Sequence, residues 1–62
     1  MHTADWPEWV SVDELAERLG VPKATLYAYN YQGTGPVRHR FGRHVRYHRD
    51  DVAAWVASKA VD

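Results

Sequence analysis

Apolar side chains recur at the spacing of an amphipathic helix in the segment that follows Ser11. They are Val12, Leu15, Ala16 and Leu19. Ser11 and Glu14 have the spacing of a capping box, in which the serine hydroxyl accepts from the glutamate N–H and the glutamate side chain accepts from the serine N–H. Gly20 suits the left-handed residue that ends many helices. The pattern predicts a first helix over residues 12–19.

A second helical segment follows after only three residues, Gly20-Val21-Pro22. The fixed φ of Pro22 is compatible with a helix start, and residues 23–29 contain no helix breaker. Two short helices joined by a three-residue turn with a glycine are typical of a helix-turn-helix. Residues 32–36 contain two glycines and a proline and are predicted to form a loop.

Residues 37–48 alternate between apolar and basic positions, as expected for strands with one buried face. The odd positions hold Val37, His39, Phe41, Val45 and Tyr47, and the even positions hold Arg38, Arg40, Arg46 and His48. A three-residue loop over residues 42–44 places Phe41 opposite Val45 and keeps the apolar positions on one face. A two-residue loop would pair Arg40 with Val45 and mix the faces, so we expect the longer loop.

A third helix is predicted over residues 51–59. Asp50 is predicted to be the N-cap, because an aspartate side chain can accept a hydrogen bond from a backbone N–H of the first turn. Asp51 would lie near the positive end of the helix dipole. The apolar stripe of this helix is formed by Val52, Trp55 and Val56.

The predicted fold is α+β, mainly α: a winged helix-turn-helix of three helices and a two-stranded β-hairpin, the wing, in the order α-α-β-β-α. The domain covers residues 11–60, and residues 1–10 form an extended lead-in. The predicted core consists of Leu15, Leu19, Leu26, Phe41, Val45, Tyr47, Val52 and Trp55. Trp6 and Trp9 either pack over this small core or offer an apolar contact to a partner.

Length and composition limit the remaining possibilities. A chain of 62 residues forms one domain, which buries roughly 60% of its unfolded surface. It has no cysteine, so neither a disulfide nor a thiolate zinc site stabilises it. The sequence contains no secretory signal and no apolar run of about 20 residues. We expect a cytoplasmic protein, associated with the nucleoid of a bacterial or phage-infected cell, without membrane contact and without a cofactor.

Charge is segregated along the chain although the formal net charge is zero. Between Arg18 and Arg49 the sequence has no Asp or Glu, and the acids all lie before or after this interval. A small domain with this distribution can present one positive face to a polyanion.

Four stretches of sequence, in matching order and spacing, resemble the small winged helix-turn-helix proteins known as excisionases. They are SVDELA (11–16), LGVPKATLY (19–27), FGRHVRY (41–47), and DV with WV (51–52 and 55–56). Excisionases are recombination directionality factors related to the DNA-binding domains of MerR-type and AlpA-type regulators. The resemblance covers residues 9–57.

The resemblance implies double-stranded DNA as the partner. Phage and integrative-element members of the family bind adjacent sites, bend the DNA and direct an integrase toward excision, so an integrase and further copies of this chain are expected partners. A small MerR/AlpA-like transcription regulator is the alternative. The sequence shows no long dimerisation helix, which favours the excisionase.

Two sets of residues are predicted to contact DNA. The recognition helix contributes Lys23, Ala24, Thr25, Tyr27, Ala28 and Tyr31, and the wing contributes Arg38, Arg40, Arg43, His44, Arg46 and His48. Related proteins commonly carry a basic residue at the position of Ala28, so bidentate recognition of guanine is not expected from this helix. Sequence choice should therefore depend on the wing and on DNA shape, with Arg43 and His44 entering a minor groove.

Other functions have weaker support. A metal site of His39, His44 and His48 is disfavoured, because the alternation of side chains along the strands places His39 and His48 on opposite faces. We expect these histidines instead to gain positive charge beside phosphate as the pH falls toward 6. Asp50 and Asp51 are better explained by helix capping than by acid–base catalysis, and we expect no enzymatic activity. A protein-interaction module that uses the two N-terminal tryptophans remains the third possibility.

Overall fold

The computed structural model describes residues 3–61, so Met1 and His2 of the predicted lead-in lie outside the described residues. The elements, in order, are β1 (Trp9–Val10), α1 (Val12–Leu19), α2 (Lys23–Gln32), β2 (His39–Phe41), β3 (His44–His48) and α3 (Arg49–Ser58). This arrangement confirms the predicted α+β winged helix-turn-helix. It also contains a short strand, β1, that the sequence pattern did not predict.

Helix α1 begins and ends at the predicted residues. The N–H of Glu14 donates to Ser11 Oγ at 3.1 Å, and the N–H of Ser11 donates to Glu14 Oε1 at 3.4 Å, which completes the capping box. Gly20 ends the helix with a φ of +70°, a conformation that a residue with a Cβ rarely adopts. The local signals of the sequence were sufficient here.

Helix α2 follows the predicted turn and ends at Gln32, the first residue of the predicted loop over residues 32–36. Its inward face carries Leu26, which is fully buried in the core. Asn30 adds a polar link, because its Nδ2 donates to the hydroxyl of buried Tyr47 on β3 at 2.7 Å. Helix α2 is therefore held by the burial of Leu26 in the core and by the hydrogen bond from Asn30 to β3.

The sheet has three antiparallel strands in the order β1-β3-β2. Strand β1 pairs Trp9 with His48 and Val10 with Tyr47. Val10 and Tyr47 face the core and are completely buried. Residues before Ser11 thus contribute to both the sheet and the core.

Arg49 holds the N-terminal segment against the sheet. Its guanidinium Nη1 donates to the carbonyl oxygens of Ala4 at 3.2 Å and Trp6 at 2.8 Å, and its backbone N–H donates to Glu8 O at 2.9 Å. The Trp6 ring is buried in the core beneath the Arg18 guanidinium, 5.1 Å from the ring centroid. Arg49, at the end of the acid-free interval, therefore has a structural role.

The wing closes with a two-residue loop, so the predicted three-residue loop is wrong. Phe41 pairs with His44 and Arg40 with Val45, leaving Gly42 and Arg43 in the turn. Gly42 has a φ of +65°, which suits the first central position of a two-residue hairpin turn. With this register, Arg40 rather than Phe41 shares a face of the sheet with Val45.

Trp9 explains the register. The alternation of apolar and basic residues predicts that Phe41 faces the core. Instead, the Phe41 ring packs edge-on against Trp9 on the sheet face opposite the core, with the ring centroids 5.2 Å apart. We call this face, which carries Trp9, His39, Phe41, His44, Arg46 and His48, the outer face. Phe41 remains 52% exposed and is not a core residue, contrary to our prediction.

The start of α3 also differs from the prediction. His48, not Asp50, is the N-cap, and its Nδ1 accepts a hydrogen bond from the N–H of Asp50 at 3.1 Å. Strand β3 passes into α3 without a loop, so the last residue of the strand must supply the cap. Asp50 and Asp51 lie in the first turn, where the helix dipole favours negative charge, as expected.

The core lies between the inner face of the sheet and the helices. Its buried apolar members are Trp6, Val10, Leu15, Ala16, Leu26, Tyr47 and Val52. Four predicted core residues are among them, whereas Leu19, Val45 and Trp55 are half-buried. Trp55 donates from its indole Nε1 to Thr34 O at 2.8 Å.

Within residues 3–61, no helix combines the length and apolar character needed to cross a membrane.

Candidate nucleic-acid interface

The outward face of α2 is available to a ligand. Leu26 and Tyr29 turn toward the core, and the 3.6-residue period places the remaining side chains on the other side. The exposed residues are Lys23, Ala24, Tyr27, Ala28, Tyr31 and Gln32. Thr25, also predicted to contact DNA, is half-buried. The helix thus presents two tyrosines and two alanines, a surface suited to phosphate hydrogen bonds and apolar base contacts.

Lys23, the first residue of α2, has a carboxylate neighbour. Its Nζ lies 2.9 Å from Oδ1 of Asp13 on α1, and both side chains are largely exposed. The hydrogen bond to this carboxylate, together with its negative charge, raises the pKa of Lys23. The lysine therefore stays charged, but its ammonium is held by α1.

The basic side chains of the wing lie on both of its faces rather than on one. Arg40 shares the inner side with Val45, and Arg46 pairs with His39 on the outer side. This corrects the expectation of a single basic face, and it follows from the two-residue loop. The exposed basic residues of the predicted wing are Arg38, Arg40, Arg43 and His44.

Arg46 and His48 are more constrained than the other predicted wing contacts. Arg46 is half-buried, and its Nη1 donates to the Val45 carbonyl at 2.8 Å. His48 caps α3 and lies 3.5 Å from Glu8 Oε1. Of the two, Arg46 is better placed for an external ligand because it lines the groove described next.

A groove brings the predicted recognition helix and wing together. It lies between the first turn of α1, the exposed side of α2 and the tip of the wing. Its polar lining consists of Ser11, Asp13, Tyr27, Arg43, His44 and Arg46. Three basic residues of the wing thus line the same groove as Tyr27 of α2. A polyanion in this groove can contact helix and wing at once.

The outer face carries an aromatic cluster that sequence reasoning missed. Trp9 lies edge-on to His39, Phe41 and His48, with ring centroids 4.9 to 5.2 Å apart. His39 and His48 therefore share a face, and the parity argument that separated them is wrong. The available signal was the residue types of β1, because aromatic and β-branched residues such as Trp9 and Val10 are enriched in strands.

The histidines have carboxylate partners rather than a shared ligand position. His39 Nε2 lies 3.0 Å from Asp51 Oδ2, and His48 lies close to Glu8. Among residues 3–61, no three His, Cys, Asp or Glu side chains are grouped so that they could hold a metal ion. His44, at the tip of the wing, is the predicted histidine that faces the groove.

Comparison with known proteins agrees with this geometry. A search of curated proteins found no match. A family model described as a helix-turn-helix domain matches residues 9–60, which include β1, all three helices and the wing. Because this match extends over most of the chain, the protein belongs to the helix-turn-helix domain family of small DNA-binding domains.

Proposed function

We propose that this protein binds double-stranded DNA with α2 in the major groove and the tip of the wing in an adjacent minor groove. The groove shared by Tyr27, Arg43 and Arg46 is the observation that supports this mode, because it offers one continuous surface for both contacts. Arg43 lies in the two-residue turn at the tip of the wing and is exposed. Narrow minor grooves attract such side chains.

We further propose that the protein acts as an excisionase, which bends DNA and directs an integrase toward excision. The resemblance of residues 9–57 to excisionases supports this role. The exposed Ala24 and Ala28 of α2 support it as well, because alanine offers no hydrogen bond to a base edge and leaves sequence choice to the wing and to DNA deformability. A small transcription regulator is the alternative. Increased excision in a purified integrase reaction would favour the first role, and promoter occupancy without an effect on excision would favour the second.

DNA binding is expected to depend steeply on salt. With four to six phosphate contacts, the logarithm of the binding constant should fall against the logarithm of the salt concentration with a slope of about −4 to −5. Fluorescence anisotropy with a labelled random-sequence duplex, starting from about 50 mM salt, measures this slope. Absence of binding in dilute salt, or a slope near zero, would contradict the proposed mode.

Binding to adjacent sites is expected to be cooperative. A domain of this size covers about 600 to 1,000 Å² of DNA-facing surface, so a single copy should bind weakly. Footprinting on duplexes with one site or two adjacent sites should show tighter occupancy per site on the tandem duplex. Equal occupancy of isolated and tandem sites would exclude cooperation between neighbouring copies.

A further inference from the structure

One acidic side chain lies inside the otherwise basic groove. Among the described residues that line it, Asp13 is the only carboxylate, and it accompanies Arg43, His44 and Arg46. The segregation of charge along the chain did not predict this, because Asp13 precedes the acid-free interval. The tight turn between α1 and α2 brings it to the start of the recognition helix.

Asp13 is not required for the cap of α1. That role belongs to Ser11 and Glu14, which already form the complete capping box. The Asp13 side chain is 74% exposed, and among residues 3–61 its ion-pair partner is Lys23, 2.9 Å away. A carboxylate in this position opposes the binding of a polyanion, both by direct repulsion and by occupying a lysine that could reach phosphate.

We propose that Asp13 is a positioning residue that holds the Lys23 ammonium against α1 and so withholds one phosphate contact from the DNA interface. This inference rests on the proposed DNA-binding function. A phosphate and the Asp13 carboxylate compete for the same ammonium group, and the carboxylate is already in hydrogen-bond contact. The raised pKa of Lys23 is consistent with this contact. The pair therefore keeps the affinity of a single copy for DNA low.

The test measures the affinity of four variants for a random-sequence duplex across a salt series. The variants are Asp13→Asn, Lys23→Gln, the double variant, and Glu17→Gln as a control. Glu17 is also exposed on α1 and its replacement changes the net charge equally, but it does not line the groove. Circular dichroism at each salt concentration confirms that every variant is folded.

Asp13→Asn should bind roughly three- to tenfold tighter at about 50 mM salt, and its salt slope should become more negative by about 0.9, the value for one additional phosphate contact. The double variant should lose most of this gain, because the released ammonium is absent and only the relief of direct repulsion remains. Lys23→Gln alone should change affinity little, since the lysine is already engaged. Glu17→Gln should have a smaller effect than Asp13→Asn.

Four outcomes would overturn the inference. An unchanged or weaker affinity of Asp13→Asn would show that the carboxylate does not limit binding. An equal gain in Glu17→Gln would show a general charge effect. A full gain in the double variant would show that Asp13 acts by direct repulsion and not through Lys23. Failure of all proteins, including the unmodified one, to bind the duplex would contradict the proposed function itself and this inference with it.

Discussion

Trp6→Ala is expected to lower the free energy of unfolding by about 3 kcal/mol or more, the cost of removing a large aromatic side chain from a core. Trp6 is only 9% exposed and belongs to the buried cluster. The change also removes the ring beneath Arg18. In a domain this small, such a loss is comparable with the whole stability. Urea denaturation followed by far-ultraviolet circular dichroism measures the effect.

Trp9→Ala is the matched control for this prediction. The same atoms are removed three residues away, but Trp9 is 37% exposed and packs on the outer face rather than in the core. Its replacement should cost clearly less than that of Trp6. Equal losses for the two variants, or a negligible loss for Trp6→Ala, would show that the N-terminal segment does not stabilise the core.

Replacing Arg40, Arg43 and Arg46 together with glutamine should weaken binding to random DNA roughly 100- to 1,000-fold at about 0.1 M salt. Each lost phosphate contact should also reduce the magnitude of the salt slope by about 0.9. Fluorescence anisotropy across a salt series gives both quantities. The triple variant should remain folded, because its side chains lie outside the buried core.

A single-charge comparison controls for net charge in the wing experiment. Arg43→Gln removes one cation from the tip of the wing, whereas Lys59→Gln removes one from the end of α3, where Lys59 lies over the Tyr29 and Trp55 rings. Arg43→Gln should weaken binding several-fold and Lys59→Gln by much less. If both lost the same affinity, the wing would not be the main contact surface.

The helices could be predicted from the sequence because their signals are local. The capping box of α1, the left-handed Gly20 and the turn into α2 each depend on residues within a few positions of one another. The exposed side of α2 could be predicted in the same way, since helical periodicity alone separates Tyr27 from Leu26. The presence of a hairpin was equally clear from Gly42 and the alternating pattern.

The register of the wing could not be predicted from the alternation alone. Alternation predicts the register only if every apolar residue of the wing faces the core. The prediction fails when a second apolar surface exists. Trp9 provides that surface only because β1 pairs with β3, a contact between residues 39 positions apart in the sequence. The cap at His48 has the same origin, since its position depends on where β3 ends and α3 begins.

The sequence by itself determined the helix-turn-helix, the hairpin and the basic character of the wing, because these follow from contacts between near neighbours and from residue type. Tertiary structure decided which cations reach the groove. It assigned Arg49 to the N-terminal carbonyls, divided the wing arginines between two faces and brought Asp13 to Lys23. The physical reason is that strand pairing and ion pairing act between residues far apart along the chain, whose proximity is set only when the core is packed.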